Sequence, residues 1–463
     1  MKNLSVRGFI FVIGILACAC AKQSTTVHSP SDLEMQNNDV AQDGGQDVEE
    51  TRSSADQDDA DTQFDLAKLL DKGEVGVQYR AKRIGKMIEE VRKAAEQGDA
   101  EAQFVVGLMY FKGEGVSQDK AQAAEWFLKS AEQGNVEAQR FIGMMYNDGD
   151  GVPQDKEKAV EWNRKAAEQG DAVAQYNLGA MYSHGDGVVK DKAQAIEWYR
   201  KAAEQGEVNA QYNLGAIYSK GDGVAQDMSQ ALEWFHKAAE QGDAEAQFIT
   251  GVIYAMKKDE TKALEWFHKA AEQGHVEAQY NIGLIYHRKE DKAQAIEWYR
   301  KAAEQGHVKA QFYLGAMFQD GIGVERDKSQ AIDLYRKAAE QGDVKAQFNI
   351  GLMYFNGNGV AQNKALAAEW FLKAAEQGEP KSQCNLGMMY LMGDGVVQDY
   401  SQAVKWTRMA AEQGNDDAQF NLGLMYAKGE GVAQDNAQAV EWFRKAAEQG
   451  NPDAQEALRI LEK

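Results

Sequence analysis

Cysteine is nearly absent. Three occur in 463 residues, Cys18 and Cys20 close to the start and Cys384 far downstream. No disulfide framework is available, so an exported chain of this kind is stabilised by packing. Basic charge is also short, with 51 Lys and Arg against 72 Asp and Glu, a formal net charge of −21. That balance argues against non-specific binding to nucleic acid or to an anionic membrane surface, because both rely on clustered cations. A basic or neutral partner suits it better. Long apolar runs are missing: the one apolar stretch near the start, "GFIFVIGILACA", is about a dozen residues, too short to span a bilayer as a helix. Enzyme signatures are missing as well, with no HExxH, no GxSxG and no cysteine–histidine constellation. One "SQDK" at 117–120 matches Ser-x-x-Lys, but that serine slot holds Pro, Val, Ala or Glu in the other 36-residue copies of the same segment. The chain reads as a non-enzyme without catalytic residues, cofactor or metal.

The apolar stretch has the anatomy of a signal peptide: Lys2 and Arg7 precede it and small residues follow it. "ILAC" at 15–18 resembles the lipobox of bacterial lipoproteins, in which the cysteine becomes the lipidated first residue. Residues 1–17 are therefore expected to be a lipoprotein-type signal peptide and Cys18 the lipidated residue. Cleavage at "ACA" without lipid, and lipidation at Cys20, remain as alternatives. In that family a residue other than Asp after the cysteine, here Ala19, implies the outer membrane, and the lipid is then the only contact with a membrane. Residues 18–59 read as an acidic linker. The segment 31–63 holds eleven acidic residues and one basic one, and has too little to bury to offset its ordering entropy.

What is abundant is repetition. "AAEQG" at 94–98 is the first of eleven near-copies, whose glycines fall at 98, 134, 170, 206, 242, 274, 306, 342, 378, 414 and 450. The spacing is 36 residues four times, 32 twice, then 36 four times. Ten repeats occupy 99–450, the two of 32 residues lying at 243–306. A degenerate copy precedes them at 60–98, and 451–463 reads as a C-terminal capping helix. Each repeat predicts two helices. In the first, Ala102, Val106, Met109 and Tyr110 share a face; in the second, Ala123, Phe127 and Ser130 do so. Asp119 with Gln122 opens the second helix as a capping box would. "GEGV" or "GDGV" makes the turn between them, while the closing glycine suits a left-handed cap and the Glu-Gln before it is expected to stay solvated.

"AQYNLGAMYSHGDGVVKDKAQAIEWYRKAAEQG" at 174–206 resembles the Sel1-like repeat, a relative of the tetratricopeptide repeat. The resemblance implies an all-α, right-handed solenoid of antiparallel helix pairs, about eleven repeats plus the capping helix. Some bacterial members staple each repeat with a disulfide, which this chain has no cysteines to do. The resemblance also implies a protein- or peptide-binding adaptor of the bacterial envelope, monomeric, with its ligand in the concave groove lined by first helices. Two other roles stay open: a scaffold for envelope polysaccharide or peptidoglycan machinery, or a secreted host-interaction factor. A hydrolase is the remaining and most remote alternative.

Mapped onto this sequence, one groove slot is an aromatic ladder: Phe104, Tyr176, Tyr212, Phe248, Tyr280, Phe312, Phe348 and Phe420, broken by Arg140 and Cys384. The ladder either lines the groove or packs between repeats. All nine tryptophans share another slot, eight residues before the closing glycine, and Leu334 replaces the tenth; a stripe of this kind is core. "DGDGVPQD" at 148–155 lacks the oxygen ligand and glutamate of a calcium loop and reads as a turn. Five histidines lie between 236 and 307, but same-slot residues stand a repeat apart, so they read as surface positions inherited by duplication. The two short repeats drop the Gly-x-Gly turn and introduce Lys257, Lys258, Arg288 and Lys289, the one basic cluster and a candidate contact.

Overall fold

The structure is a computed structural model and describes residues 75–461, with side chains from 85 to 460. The signal-peptide segment, Cys18, the acidic linker and residues 60–74 of the degenerate copy lie outside the described residues, as do Glu462 and Lys463. Among the described residues there are 22 helices and no strand.

The chain divides into two compact units, Met1–Asp227 and Met228–Lys463. The first holds α1 (Val75–Glu96), α2 (Ala100–Lys112), α3 (Lys120–Glu132), α4 (Val136–Asp148), α5 (Lys156–Glu168), α6 (Ala172–His184), α7 (Lys192–Glu204) and α8 (Val208–Lys220). The second begins with α9 (Met228–Glu240), α10 (Ala244–Met256), α11 (Glu260–Glu272), α12 (Val276–Arg288), α13 (Lys292–Glu304), α14 (Val308–Asp320) and α15 (Lys328–Glu340). It continues with α16 (Val344–Asn356), α17 (Lys364–Glu376), α18 (Pro380–Met392), α19 (Tyr400–Glu412), α20 (Asp416–Lys428), α21 (Asn436–Glu448) and α22 (Pro452–Leu461). From α2 to α21 even numbers are first helices of a repeat and odd numbers second helices. None of the described helices is long and apolar enough to cross a membrane.

Local chemistry sets these boundaries. Each first helix is opened by a side chain that accepts from the third backbone N–H: Asp99 Oδ1 accepts from Ala102 at 2.8 Å, and Asn135 Oδ1 from Ala138 at 2.8 Å. Second helices start the same way, Asp119 accepting from Gln122 at 3.0 Å. In the 36-residue repeats the first helix closes on a left-handed glycine such as Gly149 (φ 73°). The next turn glycine, Gly151, has φ 77° and passes so close to the previous repeat that an added Cβ would lie 2.4 Å from the carbonyl oxygen of Lys120. Asp150 in that turn is paired with Lys120 at 2.7 Å.

Two small-for-large matches hold each pair together. Gly351 is the flat place against which Phe371 packs, since a Cβ there would sit 2.6 Å from the ring. Alanines at 0% exposure, such as Ala102, Ala123 and Ala138, let neighbouring helices approach. The core is a series of clusters that each straddle consecutive repeats, as where Phe104, Phe127, Ile142 and Trp162 meet. Tryptophan is an inter-repeat residue in this scheme. Trp162, Trp234, Trp266, Trp298, Trp370 and Trp406 are buried, and the other three are half-buried.

The closing Glu-Gln is only half solvated. Gln133 Nε2 donates to Gln103 Oε1 at 2.7 Å, and Gln103, itself buried, donates to Ala95 O of the preceding copy at 3.1 Å. The arrangement recurs at Gln377–Gln347–Ala339 and Gln413–Gln383–Ala375. The buried amide donates to one repeat and accepts from its own, giving a helix-end carbonyl a second donor beside the closing glycine's N–H, as Gly342 donates to Ala339 O at 3.0 Å. This glutamine stays exposed, as expected, and is a structural bridge as well.

The short repeats solve the same turn differently. Three residues, 257–259, join α10 to α11 where longer repeats use seven, and Lys258 (φ 61°) and Glu290 (φ 62°) take the left-handed positions without glycine. At the other terminus, Ala454 is buried, Leu458 packs half-buried against α21, and Ile460 is exposed.

Candidate functional site: the face of the first helices

The first helices bury one side against their second helices and leave a strip that is half-buried or exposed. In α4 the strip is Arg140, Phe141, Met144, Asn147 and Asp148; in α6 it is Tyr176, Asn177, Ala180, Ser183 and His184. These positions lie at i, i+1, i+4, i+7 and i+8, one helical face.

The aromatic ladder stands at the edge of this strip. Phe104 and Tyr280 are buried; Tyr176, Tyr212, Phe248, Phe312, Phe348 and Phe420 are half-buried. Seven of the rungs meet an aromatic on the second helix of their own repeat. Ring centroids are 5.7 Å apart for Phe104–Phe127, 5.8 Å for Tyr176–Tyr199, 5.8 Å for Phe248–Phe267 and 6.0 Å for Tyr280–Tyr299. Phe312–Tyr335, Phe348–Phe371 and Phe420–Phe443 continue at 5.6, 6.0 and 5.6 Å. Burial pushes the Tyr199, Tyr280 and Tyr335 phenols up to about 12. The rungs therefore pack and also present an edge.

Both breaks in the ladder are matched across the repeat. Where the first helix carries Arg140, the second carries Asn163; where it carries Cys384, the second carries Thr407. The sequence shows this pairing, but only once the partner slot on the second helix is known. Asn163 is buried, donates to Ala159 O at 2.9 Å and accepts from Asn177 of the next repeat at 3.2 Å. Arg140 Nε is buried without a hydrogen-bond partner among the described residues, the Asp171 carboxylate lying 3.5 Å away. Burial raises the Cys384 thiol to about 11, and Asn421 donates to its Sγ at 3.8 Å.

Two cavities open on the strip at equivalent places between consecutive first helices. One, about 330 Å³, lies between α4 and α6 in the first compact unit; Arg140, Met144, Asn147, Asn163, Asn177 and Asp186 line it. The other, about 290 Å³, lies between α16 and α18 in the second unit; Leu352, Phe355, Phe371, Met388, Met389 and Met392 line it. Each borders the first helix of a repeat whose rung is broken. One is polar with a guanidinium on its wall, the other apolar and rich in methionine. Both are large enough to seat a side chain.

The other sequence candidates fall elsewhere. Lys257, Lys258, Arg288 and Lys289 are all exposed, but Glu260 pairs with Arg288 at 3.2 Å and with Lys289 at 3.7 Å. The histidines are not a surface series. His275 and His307 are N-caps: Nδ1 accepts from Ala278 (3.2 Å) and Ala310 (3.0 Å), and Nε2 meets Glu245 and Glu277, both at 3.1 Å. Their rings stack on the rungs Phe248 and Tyr280 at 4.6 and 4.3 Å. His236 and His268 lie edge-on to Trp266 and Trp298 of the following repeats. Among the described residues no three His, Cys, Asp or Glu side chains come together as a metal site would require.

Comparison with known proteins agrees with this architecture. The family profile described as Sel1 repeat matches ten consecutive segments, 100–135, 136–171, 172–207, 208–243, 244–275, 276–307, 308–343, 344–379, 380–415 and 416–451. Among solved structures, c5321, described as a protective antigen present in uropathogenic Escherichia coli strains displaying an SLR fold, is 42% identical. The match covers 81% of this chain and 82% of that one, with a TM-score of 0.71. A Sel1 repeat protein from Oxalobacter formigenes is 33% identical over 81% of this chain and 89% of that one, with a TM-score of 0.31. No curated protein matches this chain.

Proposed function

The chain belongs to the Sel1 repeat family, a scaffold fold that typically mediates protein–protein interaction and is generally non-enzymatic. From that premise we propose that it is an exported adaptor of the bacterial cell envelope, lipid-anchored through Cys18, that holds a protein or peptide along the first-helix face. One observation carries the reading: cavities open at equivalent places between consecutive first helices, and the polar one is lined by both members of the broken pair Arg140–Asn163. An array of near-identical repeats has no packing reason to interrupt its rungs with matched pairs, whereas a recognition surface needs such departures. The ladder edges at Tyr176 and Phe348 flank the two seats and supply flat apolar contact at low entropic cost. Methionines in the second seat suit an adaptable apolar side chain, and Arg140 in the first suits an acceptor. The acidic balance of the chain favours a basic or neutral partner. Exposed Lys257 and Lys258 provide a separate contact.

Export rests on the charged start, short apolar stretch and lipobox-like "ILAC", and is in keeping with c5321 being a protective antigen. Affinity capture from native bacterial envelope tests the reading. Wild type is expected to retain a partner that Arg140→Ala combined with Met388→Ala releases, while Glu125→Ala, exposed on second helix α3, does not. Equal capture by all three would overturn it.

A further inference from the structure

A third cavity lies on the opposite side of the repeat, between second helices. It measures about 220 Å³ and is bounded by Arg300 of α13, Leu314 and Phe318 of α14, and Leu334 and Lys337 of α15. Two departures from the repeat meet here. Leu334 stands in the slot that holds tryptophan in the nine other repeats. Phe318 stands where other first helices place a tyrosine, among them Tyr182, Tyr218 and Tyr426.

Each departure leaves a cation without its usual partner. In eight repeats the lysine three residues after the tryptophan lies over the indole, as Lys301 does over Trp298 at 4.0 Å and Lys373 over Trp370 at 4.0 Å. Lys337 is that lysine, yet it has no ring beneath it, and the carboxylate that would pair with it, Asp333, is taken by Arg336 at 3.1 Å. Arg164, Arg200 and Arg408 donate to the phenol oxygens of Tyr182, Tyr218 and Tyr426 at 2.8, 3.1 and 2.8 Å. Arg300 is their counterpart; it is exposed, faces the Phe318 ring at 5.9 Å, and makes no hydrogen bond or ion pair among the described residues, although the Glu304 and Asp333 carboxylates also border the cavity.

We propose that this notch receives a tyrosine side chain of a protein partner. The ring takes the volume left by the missing indole, under Lys337, and its hydroxyl oxygen accepts from Arg300. The other repeats of this same chain show the chemistry each cation selects, so a phenol answers both vacancies at once. An aliphatic side chain would fill the volume but satisfy neither cation. The site lies on second helices and is independent of the first-helix face.

The test titrates N-acetyl-tyrosinamide and N-acetyl-phenylalaninamide against the full chain, followed by ligand-observed NMR. Wild type is expected to bind the tyrosine probe about tenfold more tightly, the ratio that a charge-assisted hydrogen bond confers. Arg300→Gln is expected to erase that ratio, and Leu334→Trp, which rebuilds the ordinary repeat, to abolish binding of both probes. Leu334→Ala, which enlarges the notch, retains the preference and shows that loss in Leu334→Trp comes from plugging it. Equal binding by wild type and Leu334→Trp, no saturable binding by wild type, or equal affinity for the two probes would each overturn the proposal.

Discussion

Asn177 donates a hydrogen bond to Asn163 across 3.2 Å, from the first helix of one repeat to the second helix of the repeat before it. In seven other repeats the residue in the Asn163 slot is an aromatic ring packed on its rung. The amide pair thus forms the floor of a polar notch where the rest of the array has a wall.

The glutamine bridge is expected to contribute measurably to stability. Gln347→Leu removes the donor to Ala339 O and the acceptor for Gln377 while keeping the volume. Ala339 O keeps its bond from Gly342 N–H and the exposed Gln377 turns to water, so a loss of about 1 kcal/mol is expected. Urea unfolding followed by circular dichroism measures it, with Gln194→Leu on the exposed second-helix surface as the near-neutral control.

Lys258 and Glu290 hold left-handed backbone with side chains attached. Replacing either by glycine relieves a steric cost of about 1 kcal/mol that exceeds glycine's entropic penalty at an already strained turn. Each variant is expected to raise the midpoint of thermal unfolding slightly; a fall would show that the side chains contribute more than the backbone costs.

Cys384 is expected to be inert. Its thiol is buried and raised to about 11, chiefly by burial, so almost no thiolate exists at neutral pH. With Cys18 and Cys20 changed to serine, a disulfide reagent is expected to label Cys384 only in denaturant. Rapid labelling of the native chain would contradict the packing described.

Mild acid is expected to weaken the second compact unit. Burial lowers the His268 imidazole, with Glu272 opposing and Lys301 adding, and burial together with Lys292 lowers His287. Both stay neutral in the folded chain below 6.5, where the unfolded chain takes up protons, so stability is full above about pH 6.5 and falls as pH drops through that value. His268→Gln with His287→Gln is expected to flatten the thermal midpoint between pH 7 and 5.5.

Much of this architecture was legible in the residues. Glycine spacing located the repeats, and the periodicities placed both helices of each pair, because the same local solution is written ten times. Less legible was what each slot touches. The closing glutamine looks like an exposed polar residue at a helix end, and only the stacking shows that it meets Gln103 thirty positions earlier. His275 and His307 look exposed for the same reason, yet they cap helices and lie on the ladder. The ladder itself is one half of a two-slot pattern. Arg140 is uninformative until Asn163 is known to stand opposite, and that requires the register of the two helices. Leu334 was visible as the exception in the tryptophan stripe, but the cations it leaves unpartnered belong to Arg300 and Lys337, which no single-slot comparison connects.

The central claim is that the broken rung at Arg140 and Asn163 creates a seat on the binding face. Arg140→Phe combined with Asn163→Phe rebuilds the ordinary rung, and Gly143 already leaves room for the ring, as Gly107 does for Phe127. The direct measurement is partner capture by this double variant beside its thermal midpoint. The account predicts a midpoint unchanged or raised together with loss of capture. Full capture by a well-folded double variant would contradict it.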